Sequence, residues 1–346
     1  MFNPEELDLF SWLDSNSAKC KFNMSRNNMP DSLSRNSGID FSFQEYEKNR
    51  NNSKELFVGE LSKIYKVKKD LIVPTISGSE AIYISLLLLR QHFDHITLFT
   101  PEYEPIVKVA KSLSFTLREI GLRDITESDV SEPFSISLPN NPLSISSAVI
   151  TKHLRNNSDK SKLKYIDETF LEFSKNRGKT IFSENTGMLV SSTMTKFYGL
   201  SDMKVGWIFA DAEYIPWLKQ TMDLITPSIP PYSLWISYQA LLNKSFFDRE
   251  VPEFVKGNIE MVNEFVEQTP GLKWDKPDGT TFGFIRTESA GSVDLCKRIL
   301  KETGILLAPG KFFGDDRGFR IAYVMERDDL HTALNLLTKF FKGEKN

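Results

Sequence analysis

Lys196 lies in the run Gly187–Trp207, which reads as a short apolar strand, a polar turn and a glycine-bounded segment. A lysine at a strand end, flanked by Thr193 and Thr195, is placed to reach into a cleft. Once deprotonated, such an amine condenses with carbonyl compounds to form a Schiff base. By itself, a lysine is more simply a solvated surface charge. Five further groups share this ambiguity. Ser77-Gly78-Ser79 separates a strand from a helix. There, glycine lets a phosphate approach the backbone and the helix N-terminus offers N–H groups, though a capped turn needs the same residues. Tyr103 can stack on a planar ring or simply pack. Asn141 can donate from its amide or close an Asn-Pro turn. Asp167 ends a β-branched and aromatic run, where a carboxylate suits a cationic partner or a helix N-cap. Arg320 can grip a carboxylate with two N–H groups or lie on the surface of an edge strand.

Taken in order, these segments resemble the fold-type-I enzymes that use pyridoxal 5'-phosphate (PLP), the aspartate and histidinol-phosphate aminotransferase superfamily. The resemblance rests on Ser77-Gly78-Ser79-Glu80-Ala81, Pro101-Glu102-Tyr103, Leu138-Pro139-Asn140-Asn141-Pro142, Tyr165–Phe170 and Thr193-Met194-Thr195-Lys196. Weaker matches follow at Ala308–Gly314 and Gly318–Ile321. Each segment is short. Their common order and spacing, from about Leu56 to Arg320, carry the resemblance.

The resemblance implies roles. Lys196 would carry the cofactor as a Schiff base and later move the proton. Asp167 would face the pyridine nitrogen, and Tyr103 would stack on the ring. Ser77, Gly78, Ser79, Thr193, Thr195 and Lys204 would hold the phosphate. Asn141 would meet the phenolic oxygen and, with Arg320, the substrate carboxylate. Tyr46 is a candidate for the phosphate contact that the family receives from a partner subunit. The Asn141–Pro142 bond is a candidate for the cis form. Three departures stand out. Phe170 occupies the place of a family tyrosine, Lys204 that of an arginine, and Pro142-Leu143-Ser144 that of Pro-Thr-Gly.

The elements that must position these groups alternate. Strands are expected at Leu71–Thr75, His95–Thr100, Phe134–Leu138, Leu163–Asp167, Met188–Ser192 and Val205–Ala210. Helices are expected at Lys54–Tyr65, Ser79–Arg90, Glu104–Ser112 and Ile145–Arg155. This alternation predicts an α/β fold with a mostly parallel sheet flanked by helices, and the resemblance makes it seven-stranded. In such sheets ligands bind beyond the carboxyl ends of the strands, where the proposed cofactor residues of the large domain fall. After Pro230-Pro231, helices dominate to about Gln268. Strands at Phe282–Ile285, Ile305–Ala308 and Phe319–Val324 then frame a helix at Val293–Lys301, and a helix at Asp328–Phe341 follows. The expected organisation is an N-terminal segment (1–44), a large cofactor domain (45–235) and a small α+β domain (236–346). Asn3-Pro4-Glu5-Glu6 reads as a helix start, and residues 14–52 as polar and irregular.

Composition narrows the function classes. With 346 residues and a net charge of −3, the chain shows no electrostatic footprint for nucleic acid or an anionic membrane. No apolar run is long enough to span a bilayer, and the acidic N-terminus lacks the marks of a signal peptide, so a cytoplasmic protein is expected. Two cysteines make no disulfide framework, and four scattered histidines give no metal pattern. The expected activity is a PLP-dependent aminotransferase exchanging an amino group between an amino acid and a 2-oxo acid by a ping-pong mechanism, working as a homodimer. A PLP-dependent decarboxylase or lyase is the alternative, since the core motifs are shared. A non-enzymatic PLP-binding regulator is a remoter one, because no helix-turn-helix precedes the cofactor domain.

Overall fold

The computed structural model describes residues 3–156, 161–277, 279–288 and 290–343. A short strand near the N-terminus, β1 (Phe22–Asn23), is followed by the seven strands of the main sheet. These are β2 (Ile72–Ile76), β3 (His95–Thr100), β4 (Thr116–Gly121), β5 (Phe134–Ser137), β6 (Lys164–Asp167), β7 (Met188–Thr193) and β8 (Val205–Phe209). Their order is β2-β8-β7-β6-β5-β3-β4, with β8 antiparallel to both neighbours and the other pairs parallel. Every residue of β5, β6, β7 and β8 is buried, as expected of strands covered on both faces by helices. The edge strand β4 (Thr-Leu-Arg-Glu-Ile-Gly) is half exposed and lacks an apolar run, so the sequence did not announce it. The helix Ile215–Ile225 was likewise unforeseen, although Pro216 lies in its first turn.

A second sheet is antiparallel, in the order β12 (Ala308–Pro309), β13 (Gly318–Ala322), β10 (Phe282–Arg286), β9 (Lys273–Trp274). The N-terminal segment joins this part of the chain, because β1 runs parallel to β11 (Ile305–Leu306). Trp12 Nε1 also donates to the Leu307 carbonyl at 2.9 Å. Among the described residues no helix is long and apolar enough to cross a membrane.

The N-terminal helix corrects one expectation. It spans Asp8–Asn16, not a helix opened by Asn3 and Pro4. Asn3 N–H instead donates to the Ser112 carbonyl at 3.1 Å. The helix start is capped by a distant carboxylate: Glu104 accepts from Asp8 N–H at 2.9 Å and Leu9 N–H at 2.8 Å. An acid at a helix N-terminus satisfies otherwise orphaned donors and meets the positive dipole end. Residues 14–52 are also less irregular than expected, with short helices at Asp31–Arg35 and Phe43–Asn49.

A second correction concerns the turn after β5. The cis bonds are Thr100–Pro101 and Leu138–Pro139, and Asn141–Pro142 is not among them. The chain reverses there through Asn140, whose carbonyl accepts from Ser144 N–H at 2.7 Å while Ser144 takes a φ of 61°.

Candidate active site

β6 is the middle strand of the sheet, and Asp167 is its last residue. A cavity of about 320 Å³ opens beyond this end and is lined by Ser77, Gly78, Ser79, Tyr103, Asn141, Asp167, Thr193, Thr195, Lys196, Lys204 and Arg320. All of the sequence-derived candidates except Tyr46 therefore meet in one place. Tyr46 is buried elsewhere, packed against Phe43 at 5.1 Å and edge-on to Tyr232 at 5.3 Å between ring centroids. The role expected of Tyr46 is at the cofactor phosphate of a partner subunit, so its place outside this chain's own cavity leaves that role a proposal.

One end of the cavity is built for an anion. Ser77 adopts a left-handed φ of 62° at the start of the helix Ser77–His92, and its N–H donates to the Lys204 carbonyl at 2.8 Å. Gly206 permits this approach: a Cβ there would lie 2.8 Å from the Ser77 carbonyl carbon and oxygen. A Cβ on Gly78 would make ordinary contacts with Thr169 Oγ1 at 3.7 Å and Thr193 Cγ2 at 3.8 Å, so the glycine leaves a methyl-sized space open at the cavity wall. The helix N-terminus and the Lys204 ammonium supply positive potential there, and the Thr193, Thr195 and Ser201 hydroxyls line the same wall.

Asp167 is buried, and its Oδ1 accepts from Thr169 N–H at 2.9 Å and Thr169 Oγ1–H at 2.6 Å. Oδ2 has no hydrogen-bond partner among the described residues. Burial pushes this carboxyl up, while the Thr169 bonds and the Lys196 charge pull it down. A cation placed against Oδ2 would complete the pair.

Lys196 follows β7 in a tight turn. Burial lowers its amine to about 8, helped by the positive charges of Arg320 and Lys204 and opposed by Asp167. Nζ donates to Asn27 Oδ1 at 2.8 Å. Arg320, on β13, is buried between two aromatic rings, its guanidinium 5.3 Å from the centre of Phe282 and 4.9 Å from that of Phe313. Nη1 donates to Asn141 Oδ1 at 2.8 Å and Nη2 to the Ser25 carbonyl at 3.0 Å, while Nε has no partner. Among the described residues no carboxylate pairs with this guanidinium, and burial lowers it to about 10.

Further residues complete the cavity. Leu9, Phe10 and Leu13 of the N-terminal helix form an apolar wall, and the segment Ser25–Asn28 closes the same side. Glu102 is wholly buried and raised to about 8 by burial. It accepts from Tyr103 N–H, Ser137 N–H and Ser137 Oγ–H, and Ser137 Oγ in turn accepts from Asn141 N–H at 2.9 Å. One carboxylate thus ties Tyr103 and Asn141 together. The only signal for it was the acid inside Pro101-Glu102-Tyr103. Phe170 lines the cavity with its ring edge-on to Phe282, 4.7 Å between centroids.

Comparison with known proteins places this geometry. The model of the family described as aminotransferase class I and II matches residues 42–337. Capreomycidine synthase of Streptomyces vinaceus is 23% identical over 290 residues, covering 78% of this chain and 74% of its own. A probable aspartate aminotransferase of Methanocaldococcus jannaschii is 22% identical over 316 residues, covering 80% and 79%. Among solved structures, a PLP-dependent aminotransferase from Streptococcus suis superposes with a TM-score of 0.86 at 18% identity, covering 99% of both chains. A PLP-dependent cyclase superposes with a TM-score of 0.81 at 15% identity, covering 99% of this chain and 98% of that one.

Proposed function

We propose that this chain, which belongs to the aminotransferase class I and II family, transfers an amino group between an amino acid and a 2-oxo acid in two half-reactions at one cavity. Its cofactor is pyridoxal 5'-phosphate, which when bound supplies an aldehyde that condenses with amines and a protonated ring that withdraws electrons from the substrate Cα. The residues present fit that group. The Ser77–Ser79 turn, the open space at Gly78, and Lys204 suit a phosphate, Tyr103 suits the ring face, and the free Oδ2 of Asp167 suits a ring N–H⁺. Lys196 supplies the amine.

The residues then divide the work. Lys196, lowered to about 8, is partly a free base near neutral pH and can both attack a carbonyl carbon and carry a proton at the substrate Cα. Asp167 would hold its negative charge against a protonated ring nitrogen through the oxygen that Thr169 leaves open. Arg320 takes the substrate α-carboxylate, with Asn141 fixing the guanidinium plane. One observation carries the proposal: a buried Arg320 that no carboxylate pairs with among the described residues, in the same cavity as Lys196. A buried guanidinium left without an anion is costly, so the site calls for a carboxylate from outside the protein. The expected result is that an amino acid added to the cofactor-loaded protein yields one equivalent of its 2-oxo acid, and a second 2-oxo acid restores the starting absorbance.

A decarboxylase, lyase or cyclase on the same scaffold is the second reading, favoured by the similarity to capreomycidine synthase. Release of CO₂ or a rearranged product without any oxo acid would decide for it. Among the lining residues Asp167 is the sole carboxylate, while Arg26 stands in the N-terminal wall without an ion pair among the described residues. A substrate side chain therefore meets a cation there, which suits a neutral or acidic amino acid better than a guanidino one. We also propose a homodimer, supported by the exposed apolar side chains of Phe43 (62%) and Leu224 (88%). Sedimentation at micromolar concentration should give twice the chain mass, and Leu224→Glu should lower it if that face is shared.

The departures from the family pattern make a paired prediction. Phe170→Tyr puts a hydroxyl into the cavity, and a buried hydrogen bond to the cofactor's phenolic oxygen is worth about 1 kcal/mol. The pH midpoint of the cofactor's visible absorbance change should fall by about one unit. Lys204→Arg should tighten cofactor binding and leave that midpoint in place, since it acts at the phosphate end. Equal shifts in both variants would mean that the two residues do not address opposite ends of the cofactor.

A further inference from the structure

We propose that Asn27 is a positioning residue for the reacting amine: its side-chain amide oxygen, delivered by the N-terminal segment, holds Lys196 Nζ through an uncharged acceptor. The proposal rests on the reading that Lys196 is the amine that carries the cofactor. Nζ lies 2.8 Å from Asn27 Oδ1, and Asn27 is 6% exposed. The ammonium form of Nζ can only donate, so the amide oxygen is the group that faces it, and the free amine keeps N–H bonds that can hold the same contact.

The segment around Asn27 is pinned on several sides. Thr281 Oγ1–H donates to the Asn27 carbonyl at 2.7 Å, and Met29 N–H donates to the Lys196 carbonyl at 3.0 Å. Arg320 Nη2–H reaches the Ser25 carbonyl at 3.0 Å. Gly199, three residues after the lysine, lets the segment press onto the same turn: a Cβ there would lie 2.8 Å from the Pro30 carbonyl oxygen. The backbone that carries the acceptor is therefore held against the turn that carries Lys196.

The chemistry explains why the residue is an amide rather than an acid. The charged groups around Nζ are Arg320 and Lys204, which disfavour its ammonium form, and Asp167, which favours it. A carboxylate in place of Oδ1 would pair with the ammonium and keep the proton on. An amide oxygen orients Nζ without neutralising that balance. When Lys196 is released from the cofactor it must act as a free base, and a neutral resting partner leaves it competent to do so.

Recombination of the full-length protein with PLP across a pH series tests this, read by absorbance and by borohydride fixation with peptide mass analysis. The wild-type rate should rise with pH through a midpoint of about 8. Asn27→Asp should move that midpoint up by at least about one unit. At about pH 7.5 the free amine then falls from roughly a quarter to roughly a thirtieth, an approximately eightfold slower recombination. Asn27→Leu, similar in volume but without an acceptor, should slow recombination about threefold or more at every pH and move the midpoint by less than about half a unit. A purely structural role would lower the melting temperature and leave both readouts unchanged. An Asn27→Asp midpoint at or below wild type overturns the proposal, as does full-speed recombination of Asn27→Leu. Should Asn27→Asp not fold, the Asn27→Leu series decides alone. Wild-type protein that fixes no PLP at Lys196 would instead overturn the assignment of Lys196 itself, a separate and recognisable failure.

Discussion

Lys196→Ala is expected to leave no borohydride-fixed adduct and to lower amino-group transfer by at least about 10⁴-fold, the upper end of what a positioned base alone contributes. The size follows from two lost roles, since the same amine attacks the carbonyl and moves the proton. Lys204 is the other lysine among the lining residues, but it sits at the anion end, with its carbonyl accepting from Ser77 N–H. It cannot replace Lys196 without rebuilding that turn. The fold should survive, because a buried ammonium held below its ordinary value costs desolvation energy. The sign is clear: the folded state disfavours the protonated amine, so removing it does not sacrifice stability at neutral pH. The cofactor-free variant should therefore melt at or above the wild-type temperature. A fixed adduct on another lysine would overturn the central assignment.

Asp167→Ala should retain the cofactor on Lys196 yet lose transfer activity by about 10³-fold. The variant removes one partner of a buried charge pair, a loss of about 3–5 kcal/mol. Each 1.36 kcal/mol is a factor of ten in rate if the interaction is realised in the transition state. The structure sharpens the expectation, because Thr169 occupies only Oδ1. Asp167→Asn is the cleaner variant: it keeps the shape and a hydrogen-bonding oxygen for Thr169 but removes the charge, and should lose nearly as much. Turnover within tenfold of wild type in both variants would show that Asp167 does not face the ring nitrogen.

The large sheet was legible wherever strands are buried on both faces, because such strands are short continuous apolar runs bounded by turns. Val205–Phe209 reads this way, and Met188–Thr193 does over Met188-Leu189-Val190. The helix Glu104–Ser112 was legible from its proline in the first turn and its apolar spacing. Strand Thr116–Gly121 was not, since an edge strand is half solvated and carries Arg118 and Glu119. Asn3 and Pro4 looked like a helix start and were not one, because the donors of the first turn found Glu104 instead.

By itself, the sequence determined the α/β alternation, the order of the motifs and the inventory of reactive groups. All of these depend on residue type and on neighbours a few positions away. Only the tertiary structure decided which groups share a cavity and what their surroundings do to them. Asn27 reaches Lys196 across 169 positions, Glu104 reaches Leu9 across 95, and Arg320 reaches Asn141 across 179. Tyr46 looked available as a residue type and is enclosed by Phe43 and Tyr232. The lowered amine of Lys196 belongs to the same class. Its cause is burial first, then the charges of Arg320 and Lys204, and desolvation and Coulomb fields depend on distance in space rather than along the chain.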